Sequence, residues 1–172
     1  MTSAGAARVD LAGGDTRIAT GVVVLDHLLE ELGRAAGFGL QLEIAPDDPE
    51  TEVSRAGTAF GEALTPLLED HVSGRGFAFA SADEALAVVV VESSGRPLVV
   101  SNADLTATRA GGLRADLAAT FLDELASAAG LTIHVRLLEG EDSQHVLSAI
   151  FKALGIALVS DAQVSHIQRV MC

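Results

Sequence analysis

The sequence contains few aromatic and few basic residues. Its 172 residues include no Trp, no Tyr and six Phe, and 11 Lys or Arg face 24 Asp or Glu, which gives a formal net charge of -13. A surface this acidic repels phosphate backbones, and too few aromatic side chains remain to stack nucleic-acid bases, which excludes nucleic acid as a partner. The apolar fraction of 49% is far above that of disordered chains. The length suits one ordinary domain or two small fused ones.

Cysteine is nearly absent, because Cys172 is the only one in the chain. A single thiol cannot form an intramolecular disulfide or a cysteine-based zinc site. The first residues, MTSAGAARVD, lack a basic region followed by an apolar one. The longest apolar run, Leu86 to Val91, is much shorter than the ~20 residues of a membrane-spanning helix. We therefore expect a cytoplasmic protein with no membrane partner.

The chain resembles itself in two places. The segment LDHLLEELGRAAGFGLQLEI (25–44) is similar to ATFLDELASAAGLTIHVRLL (119–138), and AFGEAL (59–64) falls over ALGIAL (153–158) after a one-residue shift. A repeat of this kind fixes the architecture, because each copy folds as the same unit. The sequence therefore predicts two similar halves.

Each half is predicted to contain a helix, a strand and a second helix. In both copies apolar residues recur at helical spacing up to a glycine, Gly37 or Gly130, and strict alternation of apolar and polar residues follows. With the strands described below, this pattern predicts an α+β duplicated fold of four helices and roughly eight strands. We place it in a single domain with halves at about 7–72 and 76–160, followed by a C-terminal tail at 161–172.

Between the halves, GFAFA (76–80), LAVVVVE (86–92) and PLVVS (97–101) are typical of strands, and residues 93–97 are interpreted as a hairpin turn. The second helices of the two halves are expected to approach each other closely, because Ala56, Gly57 and Ala63 are small. Helices that cover one face of each sheet leave the other face bare, and we expect neighbouring subunits to cover it.

Three segments carry a resemblance to the imidazoleglycerol-phosphate dehydratase family. TGVVVLDHLLEEL (20–32) resembles its Thr-Gly pair before Leu-Asp-His, and SADEALAVVVVESSGRPLVV (81–100) resembles its Asp-Glu-Ala-Leu strand and Ser-Gly-Arg-Pro turn. FLDELASAAGLTIHVRLLEGEDSQHVLSAIFKAL (121–154) resembles its glycine-glutamate loop and Phe-Lys helix. The resemblance covers nearly the whole chain. It implies the same duplicated fold, assembled as an octahedral shell with active sites between subunits.

The resemblance also implies a reaction, the elimination of water from imidazole glycerol phosphate in histidine biosynthesis. In the family two manganese ions are held by two His-His-x-x-Glu helix starts, by the His of Leu-Asp-His and by one further helix His. In this chain those positions are Glu50, Thr51, Ser54, Gln144, His145, Ser148, His27 and Thr120. Only His27 and His145 remain, and each ion needs roughly three protein ligands or more. We therefore expect no metal ligands and no cofactor.

His27 and His145 are the main catalytic candidates, because an imidazole exchanges protons near neutral pH. Glu84 is a third catalytic candidate at a position shared with the family. Two alternatives stay open. The histidines could be relics that only make hydrogen bonds, or they could hold a single metal ion together with Glu50 or Glu52.

Four residues are candidates for substrate binding. The resemblance places Arg96 and Lys152 at phosphate-contacting positions and Arg75 about one residue from a third. Asp26 keeps a family position beside His27, with a helix cap as its alternative role. Asp83 also keeps a family position. Its alternative role is structural, as a charge partner of Arg96 or Arg75.

Three functions follow. We expect a converted, metal-independent lyase, isomerase or cyclase that uses acid/base chemistry on a small anionic metabolite at the interface of a homo-oligomer. The arginine-dominated, alanine-rich composition resembles bacterial proteins in which pathway enzymes are diverted to specialised metabolism. The first alternative is an inactive ligand-binding or scaffold protein, and the second is the dehydratase of histidine biosynthesis.

Overall fold

The computed structural model describes residues 5–68, 75–103, 109–110 and 113–171. Within them the chain forms four helices: α1 (Val23–Ala36), α2 (Pro49–Leu68), α3 (Ala115–Ala129) and α4 (Ser143–Met171). It also forms nine strands: β1 (Gly5–Asp10), β2 (Arg17–Ala19), β3 (Gly39–Ile44), β4 (Arg75–Ala82), β5 (Ala85–Glu92), β6 (Leu98–Ser101), β7 (Arg109–Ala110), β8 (Leu113–Arg114) and β9 (Thr132–Glu139). The predicted α+β class is confirmed. Cys172 lies outside the described residues.

Glycine ends the first helix of each half, as predicted. Gly37 follows α1 with φ 73°, and its N–H donates to the Gly33 carbonyl at 2.9 Å. Gly130 follows α3 with φ 67°. Only glycine adopts this left-handed conformation without strain, so both helices stop there and the chain turns into a strand.

The two main sheets share one strand arrangement. In the first, β3 lies between β1, to which it is antiparallel, and β2, to which it is parallel. In the second, β9 lies between antiparallel β5 and parallel β6, and β4 extends the sheet beyond β5. The predicted hairpin over residues 93–97 is therefore wrong. β5 and β6 are not paired, because β9 enters between them, and the Gly95 N–H donates instead to Gly130.

The helices pack crosswise between the halves. α2 lies on α3, where a Cβ added to Gly61 would come within 2.9 Å of the Leu125 carbonyl oxygen. α4 lies on α1, where a Cβ at Gly155 would collide with the Leu32 carbonyl oxygen. These contacts are equivalent under the repeat. The prediction that α2 and α4 approach each other closely is therefore wrong, since the small residues serve α2–α3 and α1–α4 instead.

Phenylalanine fills the centre of the molecule. Phe60, Phe121 and Phe151 are fully buried, and the ring centroids are 6.3 Å apart for Phe60 and Phe121 and 5.6 Å for Phe121 and Phe151. The rings come from α2, α3 and α4, so they join the two halves in one core. Edge-to-face and offset aromatic pairs at such distances add to the stabilisation from buried area.

The outer face of the larger sheet is apolar and uncovered in the protomer. Phe77 and Phe79 on β4 are 63% and 59% exposed, and Leu98, Val100 and Leu138 on β6 and β9 are also exposed. Alternate residues of a strand point to opposite faces, so the buried residues of these strands face the helices and this set faces outward. A bare apolar face agrees with the expectation from the pattern of helices and strands.

Helix α4 is longer than predicted, because residues 161–171, assigned above to a tail, continue it as helix. That segment contains neither Gly nor Pro that would stop a helix. Residues Ser143–Ser160 are long and apolar enough to cross a membrane by length and composition, yet 61% of that stretch is buried inside the protein. Ile150, Phe151 and Leu154 are fully buried, which is the pattern of a core helix.

Candidate active site

A cavity of ≈ 450 Å³ lies between α1, α4 and the end of β4. Four of the seven predicted site residues are at this cavity or in contact with its lining: His27, His145, Lys152 and Glu84. The full lining is Val24, His27, Leu28, Glu31, Ser81, Ala82, Asp83, Gln144, His145, Leu147, Ser148 and Lys152. The wall thus combines imidazole, carboxylate, hydroxyl and ammonium groups.

His145 is held between two carboxylates of the β4–β5 turn. Its Nδ1 lies 2.6 Å from Oε2 of Glu84 and its Nε2 lies 3.3 Å from Oδ2 of Asp83. Asp83 adopts φ 50°, the only positive value among the described non-glycine residues. Because both ring nitrogens face acceptors, the arrangement favours the doubly protonated imidazolium.

The start of α4 fixes this cluster. The Asp142 carboxylate caps the helix, accepting the N–H groups of Gln144 at 2.9 Å and His145 at 3.2 Å. Glu84 in turn accepts the Asp142 N–H at 3.0 Å. The β4–β5 turn and the helix start are therefore joined by backbone and side-chain hydrogen bonds.

The pKa values of Glu84 and His145 are shifted in opposite directions. The Asp142 backbone N–H, then Glu84's own N–H and the His145 side chain, lower the pKa of Glu84 to about 2. The hydrogen bond that His145 donates to Glu84, reinforced by the charges of Glu84, Asp142 and Asp83, raises the pKa of His145 above 6.5. Both shifts have the same physical cause, because each group stabilises the charged form of the other. The contact thus favours a protonated His145 beside an ionised Glu84.

On the opposite wall, His27 and Glu31 follow each other by one turn of α1. His27 Nε2 is 3.7 Å from Oε1 of Glu31, and the imidazole is 56% exposed while the Glu31 side chain is only 14% exposed. The other Glu31 oxygen accepts a short hydrogen bond from the Ser148 hydroxyl of α4. Sequence reasoning did not single out Glu31, because it looks there like one more polar residue of an amphipathic helix. Its spacing of four from His27 was the available signal.

The Asp26 side chain accepts hydrogen bonds from Thr20, which precedes α1. Its Oδ1 accepts the Thr20 N–H at 2.9 Å and the Thr20 hydroxyl at 2.5 Å. The helix begins at Val23, and Val22 occupies its N-cap with no side-chain hydrogen bond. The alternative of Asp26 as a helix cap is therefore wrong, because its carboxylate reaches back past the cap to Thr20. Asp26 is also not part of the cavity wall.

Arg75 and Arg96 lie at the far end of the sheet from the cavity. Arg75 begins β4 opposite Glu92, to which its guanidinium is bonded at 3.3 Å, and Arg96 follows the end of β5. Asp83 lies at the other end of β4, about 25 Å away for eight residues of strand. Asp83 as a charge partner of either arginine is thus wrong, and its partner is His145.

The donor set does not fit the manganese site that the family resemblance implies. Glu52 is buried beside Gly21 and accepts the Asp47 N–H at 3.0 Å, and neither Glu50 nor Glu52 lines the cavity with His27 and His145. The described residues contain no group of three or more His, Cys, Asp or Glu that could hold a metal ion. Both nitrogens of His145 are also turned to carboxylates rather than to a shared centre.

Fold and site together define a duplicated α+β protein with a cavity between α1 and α4 that is lined by imidazole and carboxylate groups. The family model for imidazoleglycerol-phosphate dehydratase matches residues 20–158. The chain belongs to the imidazoleglycerol-phosphate dehydratase family.

Relatives and solved structures agree on this family. The imidazoleglycerol-phosphate dehydratase of Aromatoleum aromaticum is 39% identical over 88% of this chain and 81% of its own length, and that of Clostridium botulinum strain 657 is 37% identical over 84% and 76%. The crystal structure of the Staphylococcus aureus dehydratase matches with a TM-score of 0.81 at 31% identity, over 90% of each chain. The Pyrococcus furiosus structure, in complex with (S)-C348, has a TM-score of 0.82 at 28% identity.

Proposed function

We propose that this protein is a lyase of the imidazoleglycerol-phosphate dehydratase family that acts on a small anionic metabolite in the cavity between α1 and α4. The observation that carries the proposal is the His145–Glu84 pair, 2.6 Å apart at the cavity wall. A fixed imidazolium beside a carboxylate is a general acid ready for a departing hydroxyl.

The roles follow from the chemistry of the wall. His145 donates a proton to a leaving hydroxyl, which departs as water. His27, whose imidazole is largely exposed, accepts the proton from carbon, and the two histidines regain their starting states by exchange with solvent. Lys152 makes no ion pair with a carboxylate among the described residues, so its ammonium is available to an anion.

Two reactions are candidates, and a different observation favours each of them. The names and coverage of the relatives favour the dehydration of imidazole glycerol phosphate. The donor set favours a metal-independent lyase, isomerase or cyclase on another small metabolite, because among the described residues no three His, Cys, Asp or Glu side chains are grouped so that they could hold an ion. No step is assigned to manganese in either case.

The site is proposed to be completed in a homo-oligomer. Arg75 and Arg96 lie about 25 Å from the cavity along the sheet of the same protomer, so they reach a ligand there only from a second copy. The bare apolar face of Phe77, Phe79 and Leu98 gives neighbouring copies a surface to bury. The octahedral shell that the resemblance implies is one such assembly.

The test is turnover of imidazole glycerol phosphate by the full chain, followed as loss of water by mass spectrometry, after chelation and again with added manganese. We expect His145→Ala to lower the rate about 10²–10⁴-fold, while Arg34→Ala, at an exposed position of α1 outside the cavity lining, has little effect. Manganese-free turnover supports the acid/base enzyme. Turnover that requires manganese would instead assign the two-metal reaction. Binding without turnover would leave a ligand-binding protein.

A further inference from the structure

The Glu31 side chain is directed to the position where the α4 motif has no carboxylate. In the family resemblance, the Glu of the second His-His-x-x-Glu falls on Ser148 of this chain. Ser148 is 9% exposed, and its hydroxyl donates a short hydrogen bond to Glu31 from the facing helix. The carboxylate lost by α4 is therefore matched by one that enters the same cavity from α1.

One oxygen of Glu31 is held and the other is free for a ligand. Oε2 accepts from Ser148, whereas among the described residues Oε1 has no hydrogen-bond donor nearer than His27 Nε2 at 3.7 Å. The side chain is 14% exposed, so its stem is fixed by the α1–α4 contact while the head lines the cavity. A carboxylate fixed in this way recognises a hydroxyl or N–H donor.

We propose that Glu31 is a specificity-determining residue, which binds a hydroxyl or N–H group of a small anion whose negative end is bound by Lys152. This inference rests on the proposed function, since it concerns the same cavity. Lys152 is on α4 one turn beyond Ser148, so acceptor and cation line one side of the cavity. The ligand class is a small phosphate or carboxylate that also carries O–H or N–H donors.

The test compares two probes by calorimetry on the full chain, imidazole glycerol phosphate and inorganic phosphate. Glu31→Gln keeps the shape and the acceptor for Ser148 but removes the charge, and we expect it to weaken imidazole glycerol phosphate binding roughly 10- to 100-fold with inorganic phosphate unchanged. Glu30→Gln, at the exposed neighbour on α1, is the matched control and should bind both probes as the unmodified protein does.

A double-mutant cycle tests the role of Ser148. We expect Ser148→Ala to weaken imidazole glycerol phosphate binding less than Glu31→Gln does. The loss of binding free energy in the double variant should not exceed the sum of the two single losses. Unchanged binding in Glu31→Gln, or an equal loss for inorganic phosphate, would overturn the inference while the proposed function stands. If the unmodified protein binds neither probe, the proposed function fails and the inference fails with it.

Discussion

The contact between α1 and α4 holds the two walls of the cavity together, and Gly155→Ala perturbs it directly. A Cβ at this position meets the Leu32 carbonyl oxygen and, at 3.1 Å, the Leu32 carbonyl carbon. Both belong to the backbone of α1, so they cannot rotate away as a side chain does. Overpacking of this kind costs about 1–3 kcal/mol, and the better helix propensity of alanine returns ~0.8–1 kcal/mol.

The net expectation is a loss of roughly 0–2 kcal/mol in the free energy of unfolding, which for a chain of this length lowers Tm by about 0–8 °C. Gly33→Ala is the matched control, because it also lies inside a helix but its Cβ would meet nothing nearer than the Phe38 carbonyl oxygen at 3.6 Å. It should gain up to ~1 kcal/mol from helix propensity.

The assay is calorimetric unfolding at one fixed protein concentration, since the Tm of any protein that assembles depends on concentration. The expected result is a Tm order of Gly33→Ala above the unmodified protein above Gly155→Ala. A Tm for Gly155→Ala equal to that of Gly33→Ala would refute the close approach of α4 to α1.

Two further predictions concern pH and assembly. The pKa of Glu84 is about 2 in the folded protein, below its ordinary value of 4.5, so its stabilisation is complete above pH 4.5 and is lost as pH falls towards 2. The pKa of His145 is raised above its ordinary value of 6.5, so its contribution is complete below pH 6.5 and is lost as pH rises through the folded value. Tm measured from pH 2 to 9 should therefore vary less in Glu84→Gln at the acid end and in His145→Gln at the alkaline end, and unchanged profiles would contradict both. Phe77→Glu should lower the solution mass by light scattering, whereas Arg34→Glu, an added negative charge at an exposed position of α1, should not; equal masses would show that the sheet face is not buried between copies.

Local sequence signals predicted the helices and strands of this fold. They could not predict which strands pair, because that depends on residues far apart in the sequence. Gly37 and Gly130 mark helix ends through a conformation that only they adopt easily, so these boundaries were readable from the sequence. The turn at residues 93–97 looks locally like a hairpin, but β9, which begins 35 residues after Pro97 at Thr132, takes the place beside β5. A strand that intervenes from so far along the chain leaves no mark on the turn itself.

The candidate site was partly predictable for a similar reason. His27, His145, Glu84 and Lys152 stand in recognisable motifs, and the fold brings them to one cavity. Glu31 stands in no motif, and its meaning depends on Ser148, which lies 117 positions away in sequence. Only the packing of α4 on α1 reveals that pair.

The geometry of His145 affects both its capacity to donate a proton and its capacity to bind a metal ion. A metal ligand must offer one ring nitrogen as a lone pair, yet Nδ1 and Nε2 of His145 both face carboxylates, Glu84 and Asp83, from a single β-turn. A turn that binds the imidazole on both sides stabilises its protonated form, which is the form that donates a proton and the form that cannot bind a cation. The acid role proposed above for His145 therefore depends on both carboxylates, Glu84 at 2.6 Å from Nδ1 and Asp83 at 3.3 Å from Nε2.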